Sequence, residues 1–242
     1  MKAKPASRTR PAKSPTKGAP KEPPRKRVFL VDDHPMMLDG MSRLIDSEAG
    51  LMCCGGAKSA EEAIGKIPSC KPDLVITDIT LPNRSGVELI KDLTAMHPQL
   101  PVFVYSMHDE TFYAERALRA GARGYLMKEA GSEKMLEAIR RVLVGEICVS
   151  PQISAKILNL YSGSKSQGPN SPVEKLTDRE FDVFQLIGQG KSTKEIAQLL
   201  HLSHKTVAVH RGHIKEKLGF TSSAELVHQA IRWATSSPAS NA

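Results

Sequence analysis

Apolar positions along residues 27–145 alternate between two rhythms. Short unbroken apolar runs, "RVFLV" (27–31), "LMCCGGA" (51–57), "LVIT" (74–77), "PVFVYS" (101–106) and "GYLMK" (124–128), read as strands. Strands without in–out alternation are buried on both faces, which favours a parallel sheet. Between them, "PMMLDGMSRLID" (35–46), "AEEAIGKI" (60–67), "GVELIKDLTAMH" (86–97), "ETFYAERALRA" (110–120) and "SEKMLEAIRRVLVG" (132–145) repeat apolar residues at helical spacing. Five strands alternating with five helices predict an α/β domain, a doubly wound five-stranded parallel sheet covered on both faces. A short strand and then a helix, "QISAKILNLY", are expected within 146–161, and "SGSKSQGPNSP" (162–172) has the composition of a flexible linker.

Beyond the linker the strand rhythm disappears. Four helical segments separated by short turns predict a small all-α domain. Thr177 and Ser192 each precede a helix with Glu180 and Glu195 three residues on, the reciprocal capping pattern. Gly188 and Gly190 are expected to end the first of these helices. A tight turn, "HLS", then leads to Ser203 and a third helix with Val207, His210, Ile214 and Leu218 along one side. Helix, tight turn, helix is the helix-turn-helix pattern. Its other side carries Lys205, Arg211, Lys215 and Lys217 against Glu216, as suits the DNA major groove. "SAELVHQAIRW" (223–233) supplies a fourth helix. The expected organisation is a disordered basic tail (1–26), the α/β domain (27–147), a linker with a short helix (148–172), the four-helix domain (173–235) and a disordered tail (236–242).

The 242 residues carry a net charge of +8. Partitioning changes its meaning: residues 1–27 hold +9, residues 28–150 hold −5, and 151–172 and 173–242 hold +2 each. The basic excess is therefore a Pro-, Lys- and Ser-rich tail with too few apolar residues to fold; a salt-sensitive DNA tether is its sharper reading. Cys53, Cys54, Cys70 and Cys148 lack metal or redox spacing and read as reduced, mostly buried thiols of a cytoplasmic protein. No run of 18 apolar residues occurs, so no membrane span is expected.

Ligands of doubly wound sheets sit at the carboxyl ends of the strands. There this sequence places Asp32 and Asp33 after the first strand, Asp78 after the third, Ser106 at the end of the fourth and Lys128 at the end of the fifth. Three carboxylates together repel one another unless a cation is present. Mg²⁺ suits such an oxygen set, Lys128 offers a point charge for a phosphate and Ser106 a hydroxyl donor. The set fits a phosphoryl group held on Asp78.

On these residues, with Pro82 and Gly86 after Asp78 and Tyr125 three before Lys128, the segment resembles the flavodoxin-like receiver domain of two-component response regulators. The resemblance implies that Asp78 takes phosphate from a sensor histidine kinase. It implies that Asp33, Asp78 and the Thr80 backbone carbonyl hold Mg²⁺, with Asp32 acting through water. It further implies that phosphate draws Ser106 inward and that Tyr125 rotates into the space vacated. Met107, where receivers prefer a small residue, is expected to limit access of water. Residues 174–234 resemble the NarL/LuxR-type DNA-binding domain through Leu176-Thr177, Arg179-Glu180, Lys194-Glu195-Ile196-Ala197, Thr206-Val207 and Lys217-Leu218-Gly219. That resemblance makes "HKTVAVHRGHIKEKL" the recognition helix, with Ser203, His204, Lys205, Arg211 and Lys215 on DNA phosphates. Ala208 and Val209 would face the bases, and Thr206 is a candidate contact that packing explains equally.

The implied function is a transcription regulator switched by aspartyl phosphorylation, binding double-stranded DNA as a homodimer. The alternative is phosphorylation-independent DNA binding with the receiver as a docking module. An aspartate-nucleophile phosphohydrolase fits less well, because "DIT" lacks the second acid of that chemistry, and an enzyme is not expected.

Overall fold

The computed structural model describes residues 24–161 and 172–236. The expected tails and the expected flexible linker fall mainly outside these residues. Five parallel strands, β1 (Lys26–Val31), β2 (Leu51–Ala57), β3 (Leu74–Thr77), β4 (Val102–Ser106) and β5 (Gly124–Met127), pair in the order β2-β1-β3-β4-β5. Strand order reverses between β1 and β3, so the crevice lies at the carboxyl ends of these central strands. Helices α1 (Pro35–Ser47), α2 (Ala60–Cys70), α3 (Gly86–Met96), α4 (Glu110–Ala120) and α5 (Ser132–Leu143) cover the sheet.

Each face has its own core. One gathers Phe29, Val31, Val75, Val104 and Tyr125 with side chains of α2, α3 and α4; the other gathers Val28, Leu30, Ile76 and Phe103 with those of α1 and α5. Successive strand residues point to opposite faces, so the unbroken apolar runs feed both cores at once. The expected short strand after α5 is reduced to one bridge, Gly124 with Cys148. Helix α6 (Pro151–Tyr161) follows and buries Ile153.

The C-terminal domain comprises α7 (Asp178–Gly188), α8 (Thr193–Leu199), α9 (His204–Leu218) and α10 (Ser223–Ser236). Both capping boxes form as expected, Thr177 with Glu180 and Ser192 with Glu195. As expected, α7 ends at Gly188, where a Cβ would also stand 2.6 Å from the Ala230 carbonyl oxygen; its lack of a side chain lets α10 pack close. The break comes at Gly190, whose φ of 78° a β-carbon would strain. All four cysteines are free, but only Cys148 is buried; Cys53 and Cys54 are partly exposed because β2 is an edge strand, and Cys70 because it ends α2.

The two domains are docked. Arg116 of α4 donates to the Val173 carbonyl (2.9 Å) and the Leu176 carbonyl (3.3 Å), and its guanidinium lies 4.1 Å over the Phe181 ring. Asp178 pairs with Lys91 of α3 (2.6 Å) and with Arg116 (3.3 Å). The Tyr113 hydroxyl donates to the Asp182 carboxylate (2.9 Å), and Phe112 packs on Trp233 of α10 with ring centroids 5.0 Å apart.

Candidate phosphoryl-acceptor site and DNA-binding helix

Four strand ends meet where β1, β3, β4 and β5 stop. Asp32 and Asp33 follow β1, Asp78 follows β3, Ser106 closes β4 and Lys128 begins the turn after β5. The Lys128 ammonium reaches Asp32 Oδ2 (2.6 Å) and Asp78 Oδ2 (2.5 Å) at once. The other Asp78 oxygen accepts from the Ser106 hydroxyl (2.5 Å) and the Ile79 amide (2.5 Å), with the Thr80 amide farther off at 3.4 Å. Asp78 is thus a buried carboxylate held by a cation and directed donors, the arrangement that makes burial of charge tolerable. Burial alone would lower the Lys128 ammonium, but the Asp78 and Asp32 carboxylates outweigh it and hold its pKa above the usual lysine value.

Local structure explains the placement. Ser85 caps α3 in a box with Glu88, and the Gly86 amide donates to the Ile79 carbonyl (2.7 Å), curling the chain back beneath Asp78. A β-carbon on Gly86 would collide with the Asp78 carbonyl oxygen, so this turn requires glycine.

Asp33 behaves differently from Asp32. It lies near His34 Nδ1 (2.8 Å) and near His201 Nε2 (2.9 Å) in the turn between α8 and α9. Its Oδ1 is buried yet has no hydrogen-bond donor. The ligand atoms that fall within 4.8 Å of one another are those of Asp32, Asp33 and His34, a set that leaves Asp78 outside. Histidines at this site were not foreseen; the position of His34 directly after the acidic pair was the available signal.

Tyr125 does not wait outside its pocket. It is buried, and its hydroxyl donates to the His108 carbonyl (2.8 Å) while Ser106 already points at Asp78. The expected rotation therefore has no outward starting position in this state. Burial, followed by the nearby Asp78 charge, pushes the Tyr125 phenol well above its ordinary pKa. Met107 is 60% exposed and turned to solvent, so it does not plug the site as its bulk suggested. His108 was overlooked: its Nε2 lies 2.6 Å from Thr80 Oγ1, and burial lowers its pKa. Its place two residues beyond a strand-end serine was the clue.

In the C-terminal domain, Ser203 caps α9 by accepting from the Thr206 amide (3.0 Å). Val207 and Ile214 are fully buried, whereas Ser203, His204, Lys205, Ala208 and Val209 face solvent and Thr206, Arg211 and Lys215 are half-buried. Lys217, expected on the open basic side, is taken up by Glu180 within the domain (2.6 Å). Arg179 is buried and donates to the Leu200 carbonyl (2.5 Å), which fixes the end of α8 against α7.

Comparison with known proteins agrees with both halves. Residues 28–140 match the response regulator receiver domain, and residues 174–230 match the bacterial regulatory proteins of the luxR family. Response regulator GacA of Pseudomonas viridiflava is 36% identical over 85% of this chain and 95% of its own length. Oxygen regulatory protein NreC of Staphylococcus carnosus is 30% identical over 85% of this chain and 97% of its own. A crystal structure of a LuxR-family two-component response regulator from Aurantimonas sp. SI85-9A1 is 31% identical, covering 57% of this chain and 99% of that one, with a TM-score of 0.53. The RcsB response regulator of Salmonella typhimurium shares the fold, with a TM-score of 0.58 at 22% identity over 86% of this chain and 98% of its own. With the strand-end site in one domain and the helix-turn-helix in the other, this chain belongs to the LuxR-type, DNA-binding response regulators of two-component systems.

Proposed function

We propose that Asp78 is the phosphoacceptor and that its phosphorylation, by a sensor histidine kinase, controls DNA binding through α9. The observation that carries this reading is the hold on Asp78: one oxygen faces the Lys128 ammonium, the other the Ser106 hydroxyl and a backbone amide. An Asp78 oxygen attacks phosphorus, the phosphorus–nitrogen bond of the kinase phosphohistidine breaks, and the electron pair leaves with the imidazole. Lys128 offsets charge on the transferring oxygens, and Ser106 donates to one of them once the acyl phosphate forms.

Asp32, Asp33, Asp78 and the Thr80 carbonyl are the residues that would hold Mg²⁺. The orphaned, buried Oδ1 of Asp33 fits a hard cation that takes oxygen ligands. When bound, the ion supplies charge neutralisation for the phosphoryl oxygens. Ser106 and Tyr125 lie next to His108, whose ring packs on Tyr113 at 4.8 Å, and Tyr113 holds Asp182 across the domain boundary. A phosphoryl group that shifts Ser106 therefore pushes on a contiguous set of side chains ending at the docked α7.

For DNA binding, α9 lies in the major groove. Ser203, His204, Lys205, Arg211 and Lys215 contact phosphates, Thr206 lies beside them, and Ala208 and Val209 face the bases. One of the similar solved structures holds two RcsB dimers bound to two parallel DNAs, and dimeric binding to double-stranded DNA is our reading for this chain. Among the described residues no helix is long and apolar enough to cross a membrane, and we place the protein in the cytoplasm. We assign it no catalytic turnover. Asp78→Asn should abolish labelling by acetyl phosphate with Mg²⁺ and remove the phosphate-dependent gain in DNA affinity. Undiminished labelling of that variant would refute the assignment.

A further inference from the structure

An open cleft of about 970 Å³ follows the seam between the two domains. Helices α3, α4 and α6 line one side, and the start of the C-terminal domain, α7 and Trp233 of α10 line the other. Small-molecule sites have volumes of roughly 300–1,000 Å³ and favour domain interfaces. Three aromatic side chains, drawn from both domains, form a wall of the cleft. The Phe112 ring of the receiver is centred 5.0 Å from the Trp233 indole, and the Phe181 ring 5.6 Å from it. Phe181 is buried, whereas Phe112 and Trp233 are half-buried and present ring surface to the cleft. Flat aromatic surface of this kind accepts a stacked ring.

The charges around the wall are unevenly paired. Asp178 carries two cations, Lys91 (2.6 Å) and Arg116 (3.3 Å). Glu115 also carries two, Arg119 (2.6 Å) and Lys156 (3.2 Å). Each triad therefore keeps one positive charge in excess. The remaining lining charges run the other way, since Arg84 faces both Asp92 (2.7 Å) and Glu88 (3.7 Å), but these three belong to α3 and the loop before it. In the two positive triads the acids are at least three-quarters buried, whereas Lys91, Arg119 and Lys156 have about half or more of their side chains in solvent. The excess charge is thus presented outward, and the low-dielectric walls of a cleft focus it on whatever enters. A neutral or cationic guest gains nothing from it. A guest with an aromatic body and a negative group uses both the wall and the charge.

We propose that this cleft binds a small aromatic anion, an aryl carboxylate, sulfonate or phosphate, with its ring on Phe112 and Trp233 and its charge toward Arg119 and Lys156. The two rings belong to different domains, so an occupied cleft holds the docked arrangement together. The coupling is reciprocal: whatever opposes docking also weakens the ligand.

The test uses the full-length protein and 1-anilinonaphthalene-8-sulfonate, a fluorescent aromatic anion. One equivalent should bind, with quenching of Trp233, the only tryptophan in the chain, by energy transfer. Lys156→Glu turns the excess at Glu115 negative and should weaken binding about tenfold or more, whereas Lys156→Arg should retain it. Arg116→Met removes a lining cation and loosens the seam, and should weaken binding as well. Helical circular dichroism should stay unchanged in all three variants. The neutral analogue N-phenyl-1-naphthylamine should bind the parent protein at least tenfold more weakly than the sulfonate. Equal affinity for the two probes, or unchanged affinity in Lys156→Glu or Arg116→Met, would overturn the proposal. So would loss of binding in Leu158→Glu, which would place the probe in the separate apolar groove lined by Leu143, Ile147 and Leu158.

Discussion

Arg116→Met should undock the two domains while leaving each folded. Arg116 is four-fifths buried between α4 and the start of the C-terminal domain. It makes two hydrogen bonds from a charged donor to backbone carbonyls and stacks on Phe181. Charge-assisted bonds contribute about 1.5 kcal/mol each at the lower end, and the stacked cation adds about 1 kcal/mol. The ion pair to Asp178 adds little, because Lys91 remains at 2.6 Å to neutralise that carboxylate. The total is about 4 kcal/mol, or roughly a thousandfold in the docking equilibrium. Methionine keeps most of the apolar stem, so the packing loss is small. Trp233 is the only tryptophan in the chain and packs on Phe112, Phe181 and Phe184 at 5.0–5.7 Å, the first of these from the receiver. Undocking should shift its emission to the red and leave the helical circular dichroism unchanged. Emission identical to the parent protein would refute the reasoning.

Other outcomes follow from single contacts. Burial, only partly offset by Arg179 and by the Tyr113 hydroxyl, raises Asp182 to about 7. An acid whose pKa is raised in the docked state stabilises that state below its free pKa and loses the contribution as pH rises through the docked value. Docking should therefore weaken between about pH 4 and 7, read from Trp233 emission, and Asp182→Asn should flatten the profile. Gly188→Ala places a methyl against the Ala230 carbonyl and should cost about 1–3 kcal/mol, seen as a lower melting temperature of the C-terminal domain. Lys128→Ala leaves Asp32 and Asp78 without their shared cation, and labelling by acetyl phosphate should fall at least tenfold. Removing the Glu180 carboxylate as Glu180→Ala frees Lys217 and breaks one capping box, which should cost about 1 kcal/mol in the same melt.

Much of the candidate site was legible because it depends on strand ends. An apolar run long enough to be a buried strand, followed by a carboxylate, serine or lysine, fixes where that side chain emerges. That is why Asp32, Asp78, Ser106 and Lys128 could be grouped from spacing alone, and why they converge within 2.5–2.6 Å. Helix starts were legible for a similar reason, since a capping serine or threonine and its glutamate satisfy the first backbone amides locally. Lys217 misled because its partner, Glu180, lies on another helix, as does the Ala230 carbonyl that gives Gly188 its packing role. His108 and Met107 escaped because nothing in periodicity tells which of two adjacent loop residues turns inward.

Local order thus sufficed for the elements, their alternation, the parallel sheet and the residues at its carboxyl edge, because period and capping act within a few residues of the chain. The contacts between domains required the fold. Tyr113 with Asp182, Arg116 with Phe181 and Asp33 with His201 join positions 65 to 168 residues apart. Which exposed acid meets which exposed base depends on how two separately built surfaces come together, and no spacing rule along the chain encodes that.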